Sequence, residues 1–323
     1  MERFFATCPR GLELILAGEL RLIGAEKIHA VGGGVQFGGD FFLCYRANLA
    51  SRVASRILWQ VATDRYRDEE DIYRTVSALP WTEWFDAART IRVDVSATKS
   101  PLTSLNFATL KIKDAVCDKI RRLTGRRPSV DTRQPDIPIQ AHLTDRDFTL
   151  YLDTTGEPLF KRGKRLTAGE APLRENLAAG ILRLAGWEPG MPLLDPMCGS
   201  GTFLLEAALM ALDIAPGQGR HFAFEKYKNF DGRRWRELLQ RSQARQGPKT
   251  PLAIYGSDLS GDTLKAARAN LAACGLEKLV SLKQANVLEI VAPAIAAIDG
   301  SPSGVAGSRI WCGRNQARRS QAW

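Results

Sequence analysis

Residues 193–208 read "LLDPMCGSGTFLLEAA". An apolar run closes on Asp195, crosses a glycine-bearing bend and resumes as a helical segment. A strand delivered by a tight turn into a helix is the building unit of a parallel sheet covered by helices. The pattern returns in "AIYGSDLSGDTLKAARANLAACGL" (253–276), which reads as strand, turn and helix, and "VSLKQANV" (280–287) supplies a further strand. With the helical stretch "APLRENLAAGILRLAGW" (171–187) ahead of them, these segments predict a doubly wound α/β domain. Ligands of such sheets collect beyond the carboxyl ends of the strands.

The first half of the chain follows a different pattern. A strand over 3–7, a helix over 11–23, the glycine-rich strand–turn–strand "VGGGVQFGGD" (31–40) and a helical run "FFLCYRANLASRVASRILW" (41–59) open a small α+β sandwich. A second unit follows. "TIRVDVSAT" (90–98) alternates as a half-buried strand, and "FATLKIKDAVCDKIRRLTGRR" (107–127) places Val116, Ile120 and Leu123 at helical spacing. "IQAHL" (139–143) and "FTLYLDTT" (148–155) alternate again. Further on, "HFAFEKYKNFDGRRW" (221–235) reads as an aromatic insertion that packs, with a cover over a ligand pocket as the other reading. The expected divisions are 1–65, 66–165, 166–298 and an aberrant tail, 299–323.

Charge narrows the partner. Lys and Arg outnumber Asp and Glu by 45 to 35, a formal net charge of +10, which favours a polyanion, nucleic acid before membrane. Between 111 and 127 stand seven basic residues against Asp114 and Asp118, and "KRGKR" (161–165) adds four. A basic helix and loop beside one sheet suit a phosphate backbone; a solvated helix face is the plainer reading. The candidates for RNA contact are Lys111, Lys113, Arg121, Arg122, Arg126, Arg127, Lys161 and Arg162. No stretch approaches the ~18–20 apolar residues of a membrane span. The N-terminus lacks the pattern of a secretory signal. Six scattered cysteines and three histidines give a metal site little to work with, and the expected setting is the cytoplasm, with no metal.

Three nucleotide ligands compete for the glycine turn. A phosphate-binding loop needs Gly-Lys-Ser/Thr, and this turn has no lysine. A dinucleotide fingerprint needs a third glycine where Leu204 stands and an acidic residue about twenty positions on. Neither is present. A nucleoside without phosphate remains, and S-adenosylmethionine fits. Asp195 can face its ammonium or sulfonium charge, Gly199 and Gly201 let the backbone approach, and Asp258 can accept from a ribose diol.

"LLDPMCGSGTFLLEAA", "PLRENLAAGIL", "YGSDLSGDTLKAARANL" and "VDTRQPDIPI" together resemble the THUMP-domain RNA methyltransferases, and most of all bacterial 23S ribosomal RNA guanine-N2 methyltransferases. The resemblance covers residues 1–290. It implies an N-terminal ferredoxin-like domain and a THUMP RNA-binding domain, both α+β, then a Rossmann-like α/β methyltransferase domain that is partial here. It also implies that Asp195, Gly199 and Gly201, together with Pro196, Cys198 and Thr202 of the same turn, bind S-adenosylmethionine. Asp258 would hold the ribose and Asn286 the adenine; family members usually carry Asp at the last position, and Asn still donates and accepts there. The implied partner is structured RNA of the large ribosomal subunit.

Enzymes of this kind resemble one another in an Asn-Pro-Pro-Tyr motif on a fourth strand, where an amide and a carbonyl orient the guanine amine and the ring stacks on the flipped base. Residues 1–323 contain no such motif. In its expected place stands "SPSGVAGSRIWCGRNQARRSQAW" (301–323), without strand period. That tail reads as out of frame: ATA TGG for Ile310 and Trp311, read one base later, gives Tyr then Gly, while Arg309 gives no Pro in that frame; a naturally short tail of unusual composition is the other reading. A single intact reading frame across codons 295–323, found by sequencing the locus, would refute the frameshift. Binding of RNA without catalysis is the other functional class this leaves open.

Overall fold

The computed structural model describes residues 1–163 and 173–290. The expected tail lies outside the described residues. The chain divides into two compact units, the first formed by Met1–Leu159 with Gly219–Leu239, the second by Phe160–Gln218 with Gln240–Trp323.

The first unit holds strands β1 (Glu2–Thr7), β2 (Glu26–Val31), β3 (Gly34–Gly39), β4 (Arg56–Arg65), β5 (Ile91–Ala97), β6 (Ile137–Leu143) and β7 (Asp147–Asp153). Its helices are α1 (Glu13–Ile23), α2 (Phe42–Ala50), α3 (Glu69–Ala78), α4 (Trp81–Trp84) and α5 (Leu105–Thr124). All seven strands form one sheet in the order β2-β3-β1-β4-β7-β6-β5. It continues across the expected boundary at residue 65, because β4 pairs with β1 on one side and β7 on the other. The expected helix over 41–59 stops at Ala50. Glu19 on α1 is the cause: its carboxylate accepts from the Ser51 hydroxyl and the Arg52 and Val53 amides, drawing the chain out of the helix. The following "RILWQVAT", rich in branched and aromatic residues, then extends as β4. The basic helix α5 has clean ends, with the Ser104 hydroxyl accepting from the Phe107 amide and Gly125 in the left-handed conformation.

The stretch 221–235 packs within this first unit. Phe224 stacks on Tyr45 with ring centroids 4.4 Å apart, and Trp235 meets Phe224 edge-on at 5.2 Å. The backbone joins in: the Phe224 amide donates to the Thr154 carbonyl, and the Tyr227 hydroxyl to that of Asp153. Beneath them Asp153, wholly buried, pairs with Arg56; burial raises its pKa against that pairing.

The second unit holds α6 (Glu175–Leu184), β8 (Leu193–Asp195), α7 (Thr202–Ala211), β9 (Ile254–Asp258), α9 (Gly261–Ala273) and β10 (Ser281–Gln284); the intervening α8 (Gly232–Ala244) begins in the first unit. Among the described residues β10, β9 and β8 form a parallel sheet in that order. Gly256 in β9 allows α7 to seat: a Cβ there would stand 2.3 Å from Leu204 and 2.9 Å from Leu282. Around it Leu193, Leu204, Leu209, Ile254, Leu264 and Leu271 make the core.

Phe224 is fully buried in the ring cluster. Phe224→Ala is expected to destabilise the chain by about 3–5 kcal/mol, read as a lowered midpoint in urea unfolding followed by tryptophan fluorescence.

Candidate donor site at the carboxyl edge of the parallel sheet

Three neighbouring parallel strands end side by side, and each carries a candidate residue at or just past its end. Asp195 closes β8, Asp258 closes β9, and Asn286 follows β10, where the Ala285 amide donates to the Asp258 carbonyl at 3.2 Å. The strand period and the parallel register dictate this juxtaposition, with Asp195 opposite Gly256 and Gln284 opposite Asp258.

The turn between β8 and α7 is bound to β9 at several points. The Cys198 amide donates to the Ser257 carbonyl at 2.8 Å, the Gly199 amide to the Asp258 carboxylate at 3.0 Å, and the Ser257 hydroxyl to the Pro196 carbonyl at 3.1 Å. Gly199 (φ 56°) and Gly201 (φ 79°) both take the left-handed conformation. They differ in what they face. A Cβ on Gly201 would press on Ala267 at 3.2 Å, whereas one on Gly199 would meet nothing within 4 Å. Gly201 therefore serves packing, and Gly199 leaves bare backbone toward open space. Thr202 opens α7 and is buried.

Asp195 is 1% exposed. Its carboxylate accepts from the Met197 amide at 3.2 Å and makes no ion pair among the described residues. Burial, opposed by that bond and reinforced by the charge of Asp258, pushes its pKa up to about 7. A buried carboxyl without a cation is suited to a positively charged ligand. Asp258 already accepts from the Gly199 and Ser260 amides, one on each oxygen, and a carboxylate oxygen retains a second lone pair for a ribose hydroxyl. Cys198 is a packing residue: burial first, then the charges of Asp195 and Asp258, push its thiol to about 12. Asn286 makes a local turn, its side-chain oxygen accepting from the Leu288 amide and its nitrogen donating to Glu289.

The RNA candidates separate. On α5, Lys111 pairs with Glu70 and lies over the Phe107 ring, Lys113 pairs with Asp114 and Arg121 with Asp118, while Arg127, just past the helix, also pairs with Asp114. Arg122 and Arg126, beside the helix end, are exposed and make no ion pair among the described residues. Lys161 is exposed. Arg162 corrects the sequence expectation. It is 4% exposed and donates through Nε and Nη2 to the two carboxylate oxygens of Glu206 on α7, both at 3.0 Å, so it is a buried structural cation and not an RNA contact. Lys164 and Arg165 lie outside the described residues. No group of three or more potential metal ligands occurs among the described residues, and no described helix is long and apolar enough to cross a membrane.

Comparison with known proteins bears on the family and the fold. Family models match in three consecutive parts: an RlmL ferredoxin-like domain over 3–58, a THUMP domain over 66–153 and an RMKL-like methyltransferase domain over 162–297. The chain is 40% identical over 292 residues to a Synechocystis sp. protein named "Putative RNA methyltransferase slr0064", covering 90% of this chain and 76% of that one. It is 41% identical over 297 residues to the ribosomal RNA large subunit methyltransferase K/L of Photobacterium profundum, covering 91% of this chain but only 42% of that longer protein. Among solved structures, that of SMU.472 complexed with SAH superposes with a TM-score of 0.83 at 32% identity, covering 91% of this chain and 78% of that one.

The family model and the solved relative complexed with SAH show an S-adenosylmethionine-dependent methyltransferase domain. The chain belongs to the THUMP-domain RNA methyltransferases with an RlmL-like arrangement of domains.

The Asp195 carboxyl titrates near 7 in the folded chain against its ordinary 3.8, so the folded state holds the extra proton between those limits. Its contribution to stability is therefore complete below 3.8 and is lost as pH rises through about 7. Asp195→Asn is expected to gain on the wild type progressively across that window, measured as the difference in urea midpoints.

Proposed function

We propose that this chain is the donor-binding and RNA-binding part of an enzyme that methylates the exocyclic N2 of a guanine in large-subunit ribosomal RNA. The observation that carries the reading is the set of three adjacent strand ends, Asp195, Asp258 and Asn286, around the open backbone of Gly199, in one chain with a THUMP-type unit. The printed name of the Photobacterium relative supports a ribosomal RNA acceptor. Guanine N2 rests on the sequence resemblance.

When bound, S-adenosylmethionine supplies a methyl group made electrophilic by a sulfonium. Asp195 offers a buried negative charge to the cationic end of the donor. Asp258 accepts from the ribose diol, while the hydrogen bond it accepts from the Gly199 amide fixes the turn. Asn286, next in line, takes the adenine edge. On the RNA side, Arg122 in the last turn of α5 and Arg126 just past it are the candidates best placed to meet phosphate, because both are exposed and neither makes an ion pair among the described residues. Binding of RNA without transfer is a second reading, supported by the THUMP-type unit at 66–153.

Labelled methyl transfer to undermodified large-subunit RNA tests both. Label recovered as N2-methylguanosine supports transfer; RNA binding with no label supports the second reading. Asp258→Ala is expected to weaken donor binding at least about tenfold, by loss of charge-assisted hydrogen bonds. The double change Arg122→Ala, Arg126→Ala is expected to lower the slope of log affinity for RNA against log salt by about 0.7–0.9 for each phosphate left without its arginine, while leaving donor affinity unchanged in calorimetry.

A further inference from the structure

Helix α9 buries one face, composed of Leu264, Ala267, Asn270 and Leu271. Three of these are apolar, as a helix packed on a sheet requires. Asn270 breaks the pattern: it is 1% exposed, and an apolar side chain of its size would suit the helical period better. A buried amide is kept where it has hydrogen-bond partners. This one donates through Nδ2 to the carbonyl of Ser200 at 3.0 Å, between the two left-handed glycines of the turn. Three residues earlier, Ala267 lies against Gly201, so a single helix face abuts the turn at two points. On the other flank stands Ser257, also 1% exposed, whose hydroxyl donates to the Pro196 carbonyl at 3.1 Å.

The two bonds have a common logic. The turn must present the Gly199 backbone to a ligand, and within it a weak Cys198 thiol contact to the Gly199 carbonyl steadies that peptide. The Pro196 and Ser200 carbonyls, which accept from two buried side chains outside the turn, are natural handles for a further brace. Asn270 and Ser257 both bond to carbonyls of the turn itself, a role different from the one assigned to Asp195 and Asp258. We infer that Asn270 and Ser257 are positioning residues, which hold the glycine turn in its donor-binding conformation through the Ser200 and Pro196 carbonyls. The inference rests on the reading of this turn as the seat of S-adenosylmethionine.

The test is calorimetric titration of the full chain with S-adenosylmethionine and, separately, with S-adenosylhomocysteine, for the wild type, Asn270→Leu, Asn270→Gln and Ser257→Ala. Asn270→Leu keeps the bulk and removes the donor; Asn270→Gln keeps a primary amide. For Asn270→Leu and for Ser257→Ala, donor affinity is expected to fall by about threefold to tenfold, the range of one neutral hydrogen bond. Asn270→Gln is expected to recover part of the loss, and RNA affinity is expected to stay at the wild-type value in all three variants. A purely structural role would shift the unfolding midpoint while leaving the affinity of the folded protein for both ligands at the wild-type value, and that result overturns the inference. If Asn270→Leu does not fold, Ser257→Ala decides alone by the same criterion. A folded wild type that binds neither ligand overturns the donor-site reading itself, a failure distinct from that of the inference.

Discussion

The bond from the Gly199 amide to the Asp258 carboxylate is the interaction on which the site depends. It ties the loop leaving one strand to the tip of its neighbour, so the bend and the acidic residue expected to hold a ribose share a single geometry. The bond exists because β8 and β9 run parallel and in register, which puts both carboxyl ends on one edge. That pairing in turn requires a helix close against the sheet, and Gly256 permits it by leaving space for Leu204. Each level of the domain, from one missing methyl to the order of strands, converges on the placement of one peptide unit.

The N-terminal unit is held by a different kind of constraint. Polar groups at the end of β7 are buried and almost wholly satisfied internally: Asp153 by Arg56, Thr154 and Thr155 by Asn48 and the backbone of Ile57. Such networks stabilise less than apolar packing of the same volume, but they accept few alternative arrangements. The aromatic insertion completes the network by bringing the Tyr227 hydroxyl to the Asp153 carbonyl. Rings supply contact area, and hydrogen bonds supply register.

Much of this could be read from the residues alone. The strand–glycine–helix unit, the acidic strand ends and the packing of the aromatic stretch follow from local spacing, and local spacing survives folding. What stayed hidden depended on distant partners. β4 was masked by an apparently continuous helical run, because the interruption comes from Glu19 more than thirty residues earlier in the chain. Arg162 looked like a member of a basic loop, since nothing near it reveals Glu206 on α7. The α5 lysines and arginines looked like one uniform face, yet most are neutralised by acidic residues, some on the same helix and one on α3. Asn270 left a trace, a polar residue at an apolar phase of its helix, which becomes meaningful only once the Ser200 carbonyl is located.

The detour of 219–239 carries a topological consequence. The polypeptide leaves the second unit, contributes those residues to the first and returns, so the units are stitched by three covalent crossings. A lone nick near residue 160 would leave the halves still threaded together. Neither unit could be transplanted onto another scaffold by a simple cut-and-paste of contiguous sequence, and recombination between relatives would have to exchange the stitch along with its cloth.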